Sequence, residues 1–142
     1  MKNQKQTKDY SENPQEIIDE SFHIIENLVD FDKIPESSRQ IVRRVIHATG
    51  DTEYADNLVI HPRAVENGIK AITSGRSIVT DVNMVRAGIN KKVIAHFGGE
   101  VVCKIAEEDV AQKASESNKT RAITAMQESL KEISGGIVVI GN

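Results

Sequence analysis

The sequence predicts an α/β protein, a three-layer αβα arrangement around a mostly parallel sheet. Three observations carry this. Short runs rich in Val and Ile alternate with longer segments of helical period, as parallel strands joined by crossover helices require. The run Ile137-Val138-Val139-Ile140 is apolar without alternation, as expected of a strand covered on both faces. The whole chain is 142 residues, one domain's worth, with 39% apolar and 27% charged residues, a composition that excludes wholesale disorder and a disulfide scaffold.

Residues 1–12 are polar and lack an apolar period, and they read as a flexible tail before a single domain over 13–142. Asn13 can cap, Pro14 suits the first helical position and Glu16 completes an Asn-x-x-Glu box. Ile18, Phe22, Ile25 and Val29 then share one stripe, so a helix is predicted from Pro14 to about Val29. Pro35 opens a second helix with Ile41, Val42, Val45 and Ile46 on its apolar side, stopped by Gly50. Leu58-Val59-Ile60 reads as a strand. A third helix runs from Pro62 to Gly75, Ser77 to Thr80 is a strand, and Asp81 caps a short helix through Met84 to Gly88.

Residues 90–99 fit neither period. Beyond them, Glu100 to Ile105 is strand-like and Glu107 to Ser115 a polar helix. Ile123, Met126, Leu130 and Ile133 mark a final long helix ended by Gly135 and Gly136. In such sheets ligands bind beyond the carboxyl ends of the strands, here near His61, Asp81 and Gly141-Asn142. No covering helix follows the last strand, so the chain reads as shorter than a complete fold of this kind.

The formal charge is −3, and no concentrated basic surface is evident, so neither nucleic acid nor a membrane is expected as a partner. No apolar run approaches the roughly 20 residues of a membrane span and the polar start lacks a secretory pattern, which places the protein in the cytoplasm. Cys103, between Val102 and Ile105, reads as a buried inert thiol. His23, His61 and His96 lack the spacing of a zinc site, so no metal is implied. The glycines around the last strand flank it instead of leading from strand to helix, a weak phosphate signal.

Five places could carry chemistry. His47 ends the second helix beside its apolar stripe, and histidine is the usual side chain for proton exchange near neutrality; bonding to the last helix carbonyls is the plain alternative. Arg44 lies three residues earlier on the same side, suited to a carboxylate or simply to a surface ion pair. Thr120 and Arg121 open the final helix, where a cation opposes the helix dipole unless an anion answers it: a bound carboxylate, or a nearby Asp or Glu. Asp81 either faces a ligand or caps, and Ser21 is mid-helix, on the surface or toward a pocket.

Five segments in order resemble the precorrin-8X (cobalt-precorrin-8) methylmutases of cobalamin biosynthesis: Glu20-Ser21-Phe22-x-Ile24-Ile25, Arg44-Val45-Ile46-His47-Ala48-Thr49-Gly50, Gly75 through Asp81 and Met84-Val85 to Gly88, Thr120-Arg121-Ala122, and Gly136 to Asn142. The resemblance runs from about Tyr10 to the end, and relative to it the chain lacks the family's C-terminal region. It implies a cofactor-free isomerase in which a methyl group migrates from ring carbon 11 to ring carbon 12 of a corrin precursor, giving hydrogenobyrinate or cobyrinate. His47 matches the family's catalytic histidine, which protonates the ring system. Ser21, Arg44, Asp81, Thr120 and Arg121 are the implied substrate contacts, the partner is a corrinoid tetrapyrrole, and a homodimer is implied. The alternatives are a non-catalytic tetrapyrrole-binding module or an inactive remnant, and, on the α/β pattern alone, a dinucleotide-binding domain.

Overall fold

The computed structural model describes residues 11–141. Residues 1–10 of the tail predicted over 1–12, and Asn142, lie outside them. The described chain divides into two compact units, 11–62 and 63–141.

The first unit is helical. Helix α1 spans Pro14–Leu28 and α2 spans Glu36–Thr49, with a 3-10 turn Phe31–Lys33 between them and a short helix α3, Tyr54–Asn57, after. Asn13 caps α1 by accepting from the Gln15 amide at 2.9 Å. The predicted reciprocal bond from Glu16 to the Asn13 amide is replaced: the Ser11 hydroxyl accepts from that amide and donates to Glu16. The apolar stripe of α1 faces inward as its period requires. Ile25 joins Ile34, Val42 and Ile46 in a core on which Phe22, Val29, Leu58 and Ile60 pack. Gly50, at φ 70°, ends α2 in the left-handed conformation that a Cβ would disfavour.

The predicted strand Leu58–Ile60 does not form. Leu58 and Ile60 turn into the core while Val59 is 96% exposed. The alternation is strand-like, but the three strands of the described sheet all belong to the second unit. An apolar triplet without a ladder partner remains extended coil.

The second unit carries the sheet. Its order is α4 (Ala64–Thr73), β1 (Ile78–Thr80), α5 (Asn83–Gly88), α6 (Lys91–His96), β2 (Val101–Val102), α7 (Glu108–Glu116), α8 (Arg121–Glu128), α9 (Leu130–Ile133) and β3 (Ile137–Val139). Strands are ordered β2-β1-β3, every pairing parallel, with Ile78 opposite Val101 and Ile137. The α/β reading with a parallel sheet thus holds, with strands shorter than predicted. The ambiguous residues 90–99 contain α6, capped by Asn90, whose side chain accepts from the Val93 amide.

The predicted final helix is two. It breaks at Ser129, whose hydroxyl bonds the Ala125 carbonyl. Its large apolar side chains are not the buried face: Ile123 and Leu130 are largely exposed, while Thr124, Ala125 and Ser129 are buried. Helices α7 and α8 pack on each other, and the residues buried on α7 are Val110 and Ala114. Small side chains let the backbones approach, and Thr124 satisfies its hydroxyl on the Thr120 carbonyl one turn back. Gly136 is needed for space: a Cβ there would sit 2.6 Å from the carbonyl oxygens of Ser77 and Glu132.

Candidate functional site

Three of the six candidate residues meet on the first unit. His47 is in the last turn of α2 and half-buried, and its Nδ1 lies 2.8 Å from the Ser21 hydroxyl of α1. This gives Ser21, otherwise poorly suited to mid-helix, a purpose. A hydroxyl either donates or accepts, so Ser21 holds the imidazole in both neutral tautomers and in the protonated state. With Nδ1 engaged, Nε2 is the nitrogen left for proton exchange.

The ring is held from a second side. Phe22, next to Ser21, meets His47 edge to face, with centroids 5.5 Å apart and planes at 83°. The Arg44 guanidinium carbon lies 5.1 Å from the Phe22 centroid, and that of Arg43 at 5.4 Å. Arg43 is tied down further by an ion pair with Glu26 and by the Phe31 ring at 5.5 Å. Arg44 makes no hydrogen bond or ion pair among the described residues, which leaves its fork of donors for a carboxylate.

His47 and Ser21 line an open groove of about 320 Å³ whose other walls are mainly aliphatic, with Ile17, Ile24 and Leu28 of α1. A larger depression of about 510 Å³ on the same unit is edged by Asp30, Glu53 and Asp56 as well as Lys33. Its three carboxylates, against Glu20 alone in the groove of His47, disfavour an anionic ligand more strongly, so size does not decide between the two.

The other three candidates belong to the second unit, and two have their polar atoms engaged. Asp81 follows β1, and its carboxylate accepts from the amides of Val82, at 2.9 Å, and Gly141, at 3.1 Å. It joins the ends of β1 and β3 and does not cap α5, whose N-cap is Val82. The Thr120 hydroxyl accepts from the Ile123 amide at 3.2 Å as the cap of α8. Arg121 is exposed at the first position of α8 and has no carboxylate partner among the described residues, while Lys119 donates to the Gln127 side chain. The nearby Asp or Glu that could have answered Arg121 is absent there.

Sequence reasoning placed Phe22 only on an apolar stripe, and missed its contacts with His47 and the arginines. The signal was present in Ser21-Phe22 opposite the Arg43-Arg44 doublet. Cys103 is a free thiol, half-buried just beyond β2. Among the described residues no three His, Cys, Asp or Glu side chains gather as a metal site requires, and no helix is long and apolar enough to cross a membrane.

Fold and site together define a class: an α/β protein whose helical unit carries a hydroxyl-held histidine with an arginine one turn away. Comparison with known proteins makes this specific. The model of the precorrin-8X methylmutase family matches residues 16–142. The cobalt-precorrin-8 methylmutase of Priestia megaterium is 42% identical over 129 residues, covering 91% of this chain and 57% of that protein. The precorrin-8X methylmutase of Pseudomonas aeruginosa is 32% identical over 134 residues, 94% of this chain and 64% of that protein. A crystal structure of precorrin-8X methylmutase from Thermus thermophilus superposes with a TM-score of 0.78 at 35% identity, over 90% of this chain and 62% of that one. The chain belongs to the precorrin-8X methylmutase family. It spans a little under two thirds of the length of these relatives.

Proposed function

We propose that this chain takes part in the isomerisation for which its relatives are named, the methylmutase step of corrin biosynthesis. The substrate is precorrin-8X or its cobalt-containing counterpart. In the reaction the bond from the methyl group to ring carbon 11 breaks as its bond to ring carbon 12 forms, and no atom is gained or lost. The protein's task is to hold the macrocycle and supply the tautomer in which the shift is allowed. His47 does this through Nε2, giving a proton to the conjugated ring system and taking one back once the methyl group has moved.

The observation that carries this reading is the 2.8 Å bond from Ser21 to His47 Nδ1. It fixes the ring in either protonation state, as a group that must act first as acid and then as base requires. Arg44 holds a carboxylate of the substrate beside the imidazole. Thr120, Arg121 and Asp81 are proposed as further substrate contacts, on the resemblance of their segments to the family's, Arg121 with the best claim because no carboxylate among the described residues answers its guanidinium. We also propose a homodimer working in the cytoplasm; the exposed Ile17, Ile24 and Leu28 of α1 are consistent with a surface that is covered when the protein works.

The test is to incubate the protein with precorrin-8X and follow the visible spectrum of the conjugated ring. Conversion of the spectrum is expected. Binding of hydrogenobyrinate without conversion of substrate would replace the enzyme by a tetrapyrrole-binding module, and neither would remove both readings.

A further inference from the structure

We propose that Phe22 is a positioning residue, one aromatic ring that sets both the carboxylate-binding arginine and the histidine of the site. The inference rests on the reading of His47 and Arg44 given above. It is motivated by an asymmetry between neighbouring arginines. Arg43 has three restraints: the Glu26 carboxylate, the Phe31 ring and the Phe22 ring. Arg44 is exposed, and the Phe22 ring is the one partner found for its guanidinium among the described residues. A free arginine explores many rotamers, and holding it for a ligand costs conformational entropy at the moment of binding. Held over the ring face, the guanidinium is partly ordered beforehand while its N–H donors have no partner among the described residues.

The same ring meets the His47 imidazole edge to face at 5.5 Å. Ser21 and Phe22 are consecutive on α1, so one short stretch of that helix grips the imidazole twice, by a hydrogen bond and by an aromatic contact. Phe22 is itself half-buried against the core of Ile25, Val42 and Ile46, which anchors the ring. Displacement of Phe22 therefore disturbs both groups together, whereas displacement of Ser21 disturbs only the imidazole.

The experiment is a double-mutant cycle read by titration with hydrogenobyrinate, a stable polycarboxylate corrinoid. Phe22→Leu is expected to weaken binding about 2- to 5-fold, the size of a cation–π contact at an exposed site. Phe22→Tyr keeps the ring face and is expected to bind as the unmodified protein does. In an Arg44→Ala background Phe22→Leu is expected to cause no further loss of binding, because the arginine through which it acts on binding is gone, while turnover of precorrin-8X should still fall through the loosened His47; unchanged turnover there would remove the histidine half of the role. Phe22→Met, unbranched and adaptable, serves as a second ring-free variant should Leu pack poorly. The arginine side-chain NMR signal of Arg44 should lose its ring-current shift in Leu and Met variants alone. Additive losses in the cycle, equal damage from Tyr and Leu, or an unshifted Arg44 signal would overturn the role of Phe22 while leaving the proposed function standing. An unmodified protein that binds no hydrogenobyrinate would instead defeat the reading on which both rest.

Discussion

The candidate residues of the two units are held in different ways. On the first, Ser21 and His47 satisfy each other and Arg44 rests on a ring, so side chains hold side chains. On the second, Asp81 and Thr120 are engaged by backbone amides. A backbone partner fixes the fold, whereas a side-chain partner fixes a geometry that a ligand can use. The difference teaches that residue type and family position are weaker guides to a working group than the question of what already occupies its polar atoms.

The sharpest way to break this comparison is His47→Ala. Turnover of precorrin-8X should fall about 10²- to 10⁴-fold, the span of general acid–base catalysis, with hydrogenobyrinate binding largely retained; equal loss of both would make His47 a binding group. Arg44→Ala comes next. Binding should weaken roughly tenfold or more, as for a charge-assisted hydrogen bond, and the loss should shrink at high salt. On the second unit Asp81 and Thr120 hold backbone amides, so a loss of stability is expected beside any loss of substrate binding. Asp81→Ala leaves the Val82 and Gly141 amides without their acceptor and should cost about 1–2 kcal/mol in urea unfolding, and Thr120→Ala about 1 kcal/mol for a lost cap. Should both leave unfolding unchanged, the division between the units fails.

The smallest effect concerns pH. The Lys104 ammonium bonded to Glu132, with a backbone hydrogen bond adding to it, holds that carboxyl below the ordinary carboxylate value. A carboxyl depressed on folding stabilises the native state above its unfolded value, and that contribution is lost as pH falls through the folded value. Glu132→Gln should therefore lower stability slightly at neutral pH, with the difference from the unmodified protein vanishing in acid, so that the acid side of the stability profile flattens. A profile with the same slope would show that the pair contributes nothing.

Much of the architecture was legible because it rests on local rules. Asn13 and Pro14 start α1, Gly50 stops α2, and the Ile18, Phe22, Ile25 and Val29 stripe turns inward as its period demands. Failures came where a distant partner decides. Leu58 to Ile60 has strand composition but pairs with no strand among the described residues, and in α8 close approach to α7 favoured Thr124 and Ala125 over the larger Ile123. His47, Ser21 and Arg44 were found through motif order and helical spacing, but no spacing rule could place Ser21 on His47 Nδ1, because that bond joins two helices. Phe22 was missed because an aromatic residue on an apolar stripe already has an explanation.

The strand pairing also bears on the order in which the molecule assembles. Ile78 pairs with Ile137, so the β1–β3 ladder must await the chain that makes four helices and another strand between β1 and α9, and closing so long a loop is entropically slow. Helices α1 and α2 are joined by a short turn, and their contacts are local by comparison. The pocket of His47 is thus expected to mature early, before the sheet exists. Pulse-labelled hydrogen exchange during refolding would show it: amides of α1 and α2 should gain protection ahead of those of β1 and β3, and simultaneous protection would mean that the sheet nucleates the helices.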